Sequence, residues 1–240
     1  MIPVRLVAFD LDDTLYPECA FVRSGFRAVS AYLVRTGVVD RPIEADLETA
    51  FEAGVRGQTF NHVLEALDVE PSAKLIRDLV GIYRSHRSPY GFVPPDIRLH
   101  PDADHALADL RARGFHLGLI SDGPLDAQQV KVDALGLTER LDAVVLTEAL
   151  GCEFRKPHPR AFRDLAERLG APPGACIYVA DNPSKDFQGP AAAGWRPSIQ
   201  VRRPDGLYGD VFLSEPRLVS ATVASLDGLA GLLESLSCPK

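Results

Sequence analysis

The alternation of short β-rich runs with helical patterns constrains this chain more than any other feature. Apolar or β-branched runs occur at residues 4–9, 116–120, 143–146, 176–179 and 198–201, and amphipathic stretches at 102–113, 125–135 and 159–169 precede or separate the later ones. Within 102–113, Ala103, Ala106, Leu107 and Leu110 recur at helical spacing, and Gly114, Gly136 and Gly170 stand where a glycine ends a helix. Strand alternating with helix predicts an α/β fold, a doubly wound (Rossmann-like) parallel sheet with helices on both faces. Ligands of such sheets bind beyond the carboxyl ends of the strands, and Asp10, Ser121 and Asp181 each fall at an expected strand end.

Residues 18–95 break the alternation. Helical periodicity runs through 21–34, 43–51, 60–67 and 73–83 with no convincing strand, and the rigid Pro94-Pro95 pair closes the stretch. The expectation is a core domain of residues 1–17 and 96–240, interrupted by a helical cap domain of residues 18–95 that covers the site as a lid. Leu226, Leu229, Leu232, Leu233 and Leu236 repeat at helical spacing and predict a terminal helix over 225–236.

The apolar run Leu6-Val-Ala-Phe9 delivers Asp10 and Asp12 to the edge of the sheet. Residues two apart on a strand share a face, so the two carboxylates can converge. Carboxylates that close repel each other and persist together only with a cation, a shared proton or both. The same repulsion predicts an Asp12 carboxyl raised toward the range useful for general acid and base work.

Composition narrows the partners. With 46% hydrophobic and 25% charged residues the 240-residue chain has the make-up of a folded globular protein. Its formal charge of −7, with no basic tract, argues against a nucleic-acid partner. Cys19, Cys152, Cys176 and Cys238 have neither metal-site spacing nor the density of a disulfide framework, so they read as reduced thiols of a cytoplasmic protein. No apolar run approaches the ~18 residues that a membrane span needs, and the start lacks the pattern of a leader. The expectation is a monomer or homodimer with no membrane partner.

Four ordered motifs carry a family resemblance. Asp10-Leu-Asp-Asp-Thr14 resembles the first motif of the haloacid dehalogenase-like hydrolases, Leu119-Ile-Ser-Asp-Gly123 the second, Lys156-Pro-His-Pro159 the third, and Tyr178-Val-Ala-Asp-Asn-Pro-Ser-Lys-Asp186 the fourth. The resemblance covers residues 4 to about 202, with the cap least specified. Two positions depart from the commonest wording: Asp13 and Ala180 stand where glycine is frequent.

The resemblance implies a phosphatase of the type with a helical cap inserted between the first two motifs. Asp10 would be the nucleophile and Asp12 the general acid and base. Ser121, Asp122 and Lys156 would bind phosphate, and Thr14 would orient the loop carrying Asp12. Mg²⁺ would be held by the Asp10 carboxylate, the Asp12 carbonyl and the Asp181 carboxylate, while Asp186 would hold a metal-bound water or Lys156. The implied substrate is a small phosphorylated metabolite: a sugar phosphate, phosphoglycolate or a nucleotide. Dehalogenases of this type have no carboxylate at the position of Asp12, so that reaction is disfavoured. A phosphomutase of the same fold stays open as an alternative, as does a non-catalytic phosphate-binding protein. On the cap side, Glu18, Arg23, Ser24, Arg56, Gln58, Arg84 and His86 are polar candidates for contacting a leaving group, each equally explained as a solvated helix face. His158 is read as helping to start the helix after the third motif, and Trp195 as an aromatic following a helix stop.

Overall fold

A computed structural model describes the whole chain except residues 1, 205, 209–210, 212–213 and 238–240; Cys238 therefore lies outside the described residues. Cys19, Cys152 and Cys176 are free thiols. The elements in chain order are β1 (Leu6–Phe9), α1 (Glu18–Arg35), α2 (Glu44–Glu52), α3 (Thr59–Ala66), α4 (Ala73–Ser85), β2 (Arg87–Ser88) and β3 (Gly91–Phe92). They continue as α5 (Pro101–Ala112), β4 (His116–Ser121), α6 (Leu125–Ala134), α7 (Leu137–Arg140), β5 (Ala143–Leu146), α8 (Arg160–Arg168), β6 (Cys176–Ala180), α9 (Gln188–Ala192), β7 (Ser198–Val201), β8 (Val219–Val223) and α10 (Leu229–Ser237). The chain forms two compact units, residues 1–18 with 98–240, and residues 19–97.

The larger unit is built on a six-stranded sheet in the order β5-β4-β1-β6-β7-β8, with every paired strand parallel. From β1 the chain builds outward to β4 and β5 on one side, then crosses to β6, β7 and β8 on the other. That reversal is the topological switch at which such sheets bind ligands. Phe9 pairs with Leu119 of β4 and Val179 of β6, so the carboxyl ends of the three strands lie side by side. Asp10, Ser121 and Asp181 are thereby gathered at one edge.

Burial on both faces explains why these strands are readable in the sequence. Leu6, Val7, Ala8 and Phe9 are fully buried, as parallel strands covered by helices must be. Below the site, Phe162 of α8 packs edge-on to Tyr178 at 5.0 Å and to Trp195 at 5.4 Å, which makes Trp195 a core aromatic. Gly114, Gly136 and Gly170 take the positive φ that a helix ending requires (82°, 60° and 60°). The His158 Nδ1 accepts from the Arg160 N–H at the start of α8. Among the described residues, no helix is long and apolar enough to cross a membrane.

Three details differ from the sequence expectation. A sixth strand, β8, lies at the sheet edge; its half-buried Val219, Ala221 and Val223 alternate with exposed Ser220 and Thr222, so it has no continuous apolar run. The second unit contains a strand pair, β2 with β3, too short for any periodicity to register. The terminal helix begins at Leu229, because residues before it turn to let Ser225 and the Leu226 N–H donate to Asp102.

The smaller unit is held by its own core, in which Phe26, Val29 and Leu33 of α1 pack with Ile43, Leu47, Leu64, Leu79 and Ile82. His86, which ends α4 with φ 53°, is fully buried, and its Nε2 lies 3.1 Å from the Ser24 hydroxyl. Burial lowers its pKa to about 4. The unfolded chain takes up this proton near pH 6.5 and the folded one only near 4, so stability is full above about 6.5 and falls as pH drops toward 4. The expected loss from this group is on the order of 3 kcal/mol. Denaturant unfolding of wild type and His86→Asn from pH 7 to 4 should show the wild type losing stability more steeply; parallel curves would contradict the assignment.

Candidate active site

The site rests on a buried cation. The Lys156 ammonium, whose side chain is wholly excluded from solvent, lies 2.5 Å from Asp10 Oδ1 and 2.8 Å from Asp186 Oδ1. It also donates to the Tyr178 hydroxyl at 3.1 Å, and Tyr178 in turn donates to the Ile120 carbonyl at 2.9 Å. Despite burial, these anionic neighbours hold the Lys156 pKa well above its ordinary value. It stays charged at any working pH.

Carboxylates outnumber that charge. Asp10, Asp181 and Asp186, all buried, each offer an oxygen within 4.8 Å of the others. Burial, opposed by Lys156, leaves the Asp10 carboxyl raised to about 6. The Asp181 carboxyl is pushed up to about 9 by burial and by the neighbouring charges of Asp10, Asp186 and Asp13. Thr14 Oγ1 donates to Asp181 Oδ1 at 3.4 Å. A group of buried oxygens with one carboxyl driven so high lacks positive charge, and hard oxygen donors of this kind suit Mg²⁺.

Asp12 stands in a different environment from the one expected. Its Oδ1 accepts from Lys131 Nζ at 2.7 Å and from the Tyr16 hydroxyl at 2.5 Å, and its Oδ2 accepts from Gln128 Nε2 at 3.3 Å. Burial raises the Asp12 carboxyl, but Lys131, Tyr16 and Gln128 together outweigh that and hold it below the usual carboxylate range. The expected upward shift is therefore corrected. The cause is a lysine 119 positions away in sequence, which no inspection of the Asp-Leu-Asp segment could supply.

Asp13 explains one departure from the common motif wording. Its φ is 53°, a left-handed conformation that glycine adopts freely and aspartate tolerates better than most residues. In return its carboxylate accepts from the Glu18 N–H at 2.8 Å and the Leu207 N–H at 2.9 Å, and Arg203 donates to the Thr14 carbonyl at 2.9 Å. The loop that carries Asp12 is thus tied at both ends.

Ser121, at the end of β4, donates to Gln128 Oε1 at 3.0 Å. The Asp122 carboxylate is occupied by protein donors, Thr147 Oγ1 at 2.6 Å and the Lys156 N–H at 3.2 Å, so it braces the loop of the third motif. An anionic side chain so engaged offers a phosphate nothing; a contribution from residue 122 falls to its backbone. Asn182 forms a turn in which its Oδ1 accepts from the Ser184 N–H. Of the polar residues around the inserted unit, Arg23 lies within 3.9 Å of Glu48 and 3.7 Å of Glu52, Arg56 lies over the Phe51 ring, and Ser24 and His86 bond to each other. The Glu18 carboxyl is raised to about 7 by burial and by Asp12.

Sequence reasoning assigns no role to Gln128, Lys131, Tyr16 or Tyr178. The signal available is faint: Gln128 and Lys131 lie on the buried face of α6, between Ala127 and Val132, where an amphipathic helix should be apolar.

The family model for haloacid dehalogenase-like hydrolases matches residues 4–194. The chain belongs to this family. Among its relatives, the haloacid dehalogenase-like chain is 31% identical over 220 residues to the glyceraldehyde 3-phosphate phosphatase of Methanopyrus kandleri, covering 89% of this chain and 88% of that protein. It is 36% identical over 129 residues to the phosphoserine phosphatase of Thermus thermophilus, covering 49% and 51%. A family hydrolase from Deinococcus radiodurans, solved with bound phosphate and sodium, shares the fold with a TM-score of 0.67 and 22% identity over all of both chains. Within the family, this chain is a hydrolase of phosphoric monoesters.

Proposed function

We propose that this protein is a Mg²⁺-dependent phosphatase of a small phosphorylated metabolite, working through an aspartyl phosphate on Asp10. The observation that carries the reading is the buried Lys156 bridging Asp10 and Asp186, with Asp181 completing an oxygen cluster beside it.

In the first half-reaction an Asp10 oxygen attacks phosphorus and the bond to the leaving oxygen breaks, with Asp12 giving that oxygen a proton. In the second, Asp12 takes a proton from water as its oxygen bonds to phosphorus and the phosphorus–Asp10 bond breaks. Asp12 rests ionised, held so by Lys131, Tyr16 and Gln128, so the proton it gives in the first half must arrive with the substrate as its monoanion; the carboxylate left behind is the form needed for the second half. Lys156 and the backbone around Ser121 offset charge on the phosphoryl oxygens. Asp10, Asp181 and the Asp12 carbonyl would hold Mg²⁺, with Asp186 shared between that group and Lys156; the ion supplies charge neutralisation that lets an anionic nucleophile meet an anionic ester.

Small substrates are supported by the relatives, one named for glyceraldehyde 3-phosphate and one for phosphoserine. The test is a screen of phosphorylated metabolites, including these two, with Mg²⁺ and with EDTA, reading released phosphate. Release that persists unchanged in EDTA would overturn the Mg²⁺ requirement; an isomerised sugar phosphate with no free phosphate would point to a mutase.

A pH dependence arises from Asp181. Its carboxyl holds a proton up to about pH 9, and a cation must displace it. Apparent Mg²⁺ affinity should therefore strengthen as pH rises, by up to about tenfold per unit below 9. Calorimetric Mg²⁺ titrations at pH 6.5, 7.5 and 8.5 in buffers of different ionisation heat would show the released proton. Equal affinity at all three would refute it.

A further inference from the structure

The Asp12 carboxylate, the Gln128 amide and the Ser121 hydroxyl form a chain in which every donor and acceptor is determined. A carboxylate only accepts, so Gln128 must turn its Nε2 toward Asp12 Oδ2, at 3.3 Å. Gln128 Oε1 then faces Ser121, and at 3.0 Å the hydroxyl must give its single proton to it. Ser121, Gln128 and Lys131 are all nearly closed to solvent, at 1%, 3% and 4% exposure, so no bulk water substitutes for these bonds. The loop is also shaped around the amide: Gly123 has φ 141°, and a Cβ there would stand 2.5 Å from Gln128 Nε2.

A hydroxyl proton given to Gln128 is not available to a phosphate. A phosphoryl group can take it only when Ser121 rotates, which leaves Gln128 Oε1 without its donor and loosens the amide that holds Asp12 Oδ2. Lys131 and Tyr16 remain on the other oxygen, Oδ1, and give the carboxylate a pivot. We propose that Gln128 is a positioning residue that couples arrival of a phosphoryl group at Ser121 to release of the Asp12 carboxylate. The coupling rests on the phosphatase reading of this site.

The test exploits opposite signs. In Gln128→Leu the Ser121 hydroxyl is no longer held, so inorganic phosphate should bind about 3–10-fold more tightly in the presence of Mg²⁺, the equivalent of one hydrogen bond no longer broken. Turnover should fall about tenfold, because Asp12 loses its orientation. Damage to the site alone would weaken phosphate and turnover together. In a Ser121→Ala background, Gln128→Leu should leave phosphate affinity unchanged. Phosphate binding equal to or weaker than wild type in a folded Gln128→Leu protein would overturn the coupling. A wild type that neither binds phosphate nor hydrolyses any monoester with Mg²⁺ would instead overturn the phosphatase reading, and the coupling with it.

Discussion

Asp10→Asn should lower turnover by at least about 10⁴-fold while leaving the protein folded. The amide has the shape of the carboxylate but no lone pair basic enough to attack phosphorus. Stability should not fall, because burial raises the Asp10 carboxyl to about 6, which means that folding favours a neutral group at this position over an ionised one. Lys156 keeps Asp186 at 2.8 Å as a counter-charge. The measurements are kcat on p-nitrophenyl phosphate or a screened substrate, and a thermal melt. A variant that hydrolysed at the wild-type rate would remove Asp10 from the chemistry.

The second large effect is structural as well as catalytic. Lys156→Met takes a buried cation from a group of carboxylates, and breaking a buried pair by removing one partner costs about 3–5 kcal/mol. In EDTA the variant should unfold at clearly lower denaturant than wild type, and Mg²⁺ should restore part of the difference by neutralising the same oxygens. Phosphate affinity should fall with it. Arginine is a poor substitute, since the ammonium reaches Asp10, Asp186 and Tyr178 from a side chain with no exposed surface, and a planar fork has no room to do so. Equal stability of variant and wild type in EDTA would show that the carboxylates are compensated by something else.

These effects can be anticipated from the sequence because the proposed site residues sit at the ends of buried parallel strands. Leu6–Phe9 and Cys176–Ala180 are continuous apolar runs with no solvent face, and the aspartate next after each run, Asp10 or Asp181, is carried to the same edge. The strand β8 and the pair β2 with β3 escape for the opposite reason, one being a half-exposed edge and the other too short to show a period. Side chains that reach the site from elsewhere are less visible. Lys131 and Gln128 look like ordinary helix residues until α6 is laid beside the Asp12 loop, and Tyr178 looks like one more strand aromatic. The expected direction of the Asp12 shift fails for the same reason, as it depends on a long-range ion pair and not on the spacing of two aspartates.

The span of these contacts bears on when the protein becomes competent. Asp10 meets Lys156 across 146 positions, and the ties on the motif loop, Asp13 to Leu207 and Thr14 to Arg203, cross 194 and 189. Contacts that close loops of such length form late, after the local helices and nearest strand pairs. A chain emerging from a ribosome exposes Asp10 early, yet that carboxylate stays without its lysine counter-charge until more than half of the polypeptide has been made. Recovery of phosphate release during refolding should therefore trail recovery of helical circular dichroism, making enzymatic competence a reporter of the last steps of assembly.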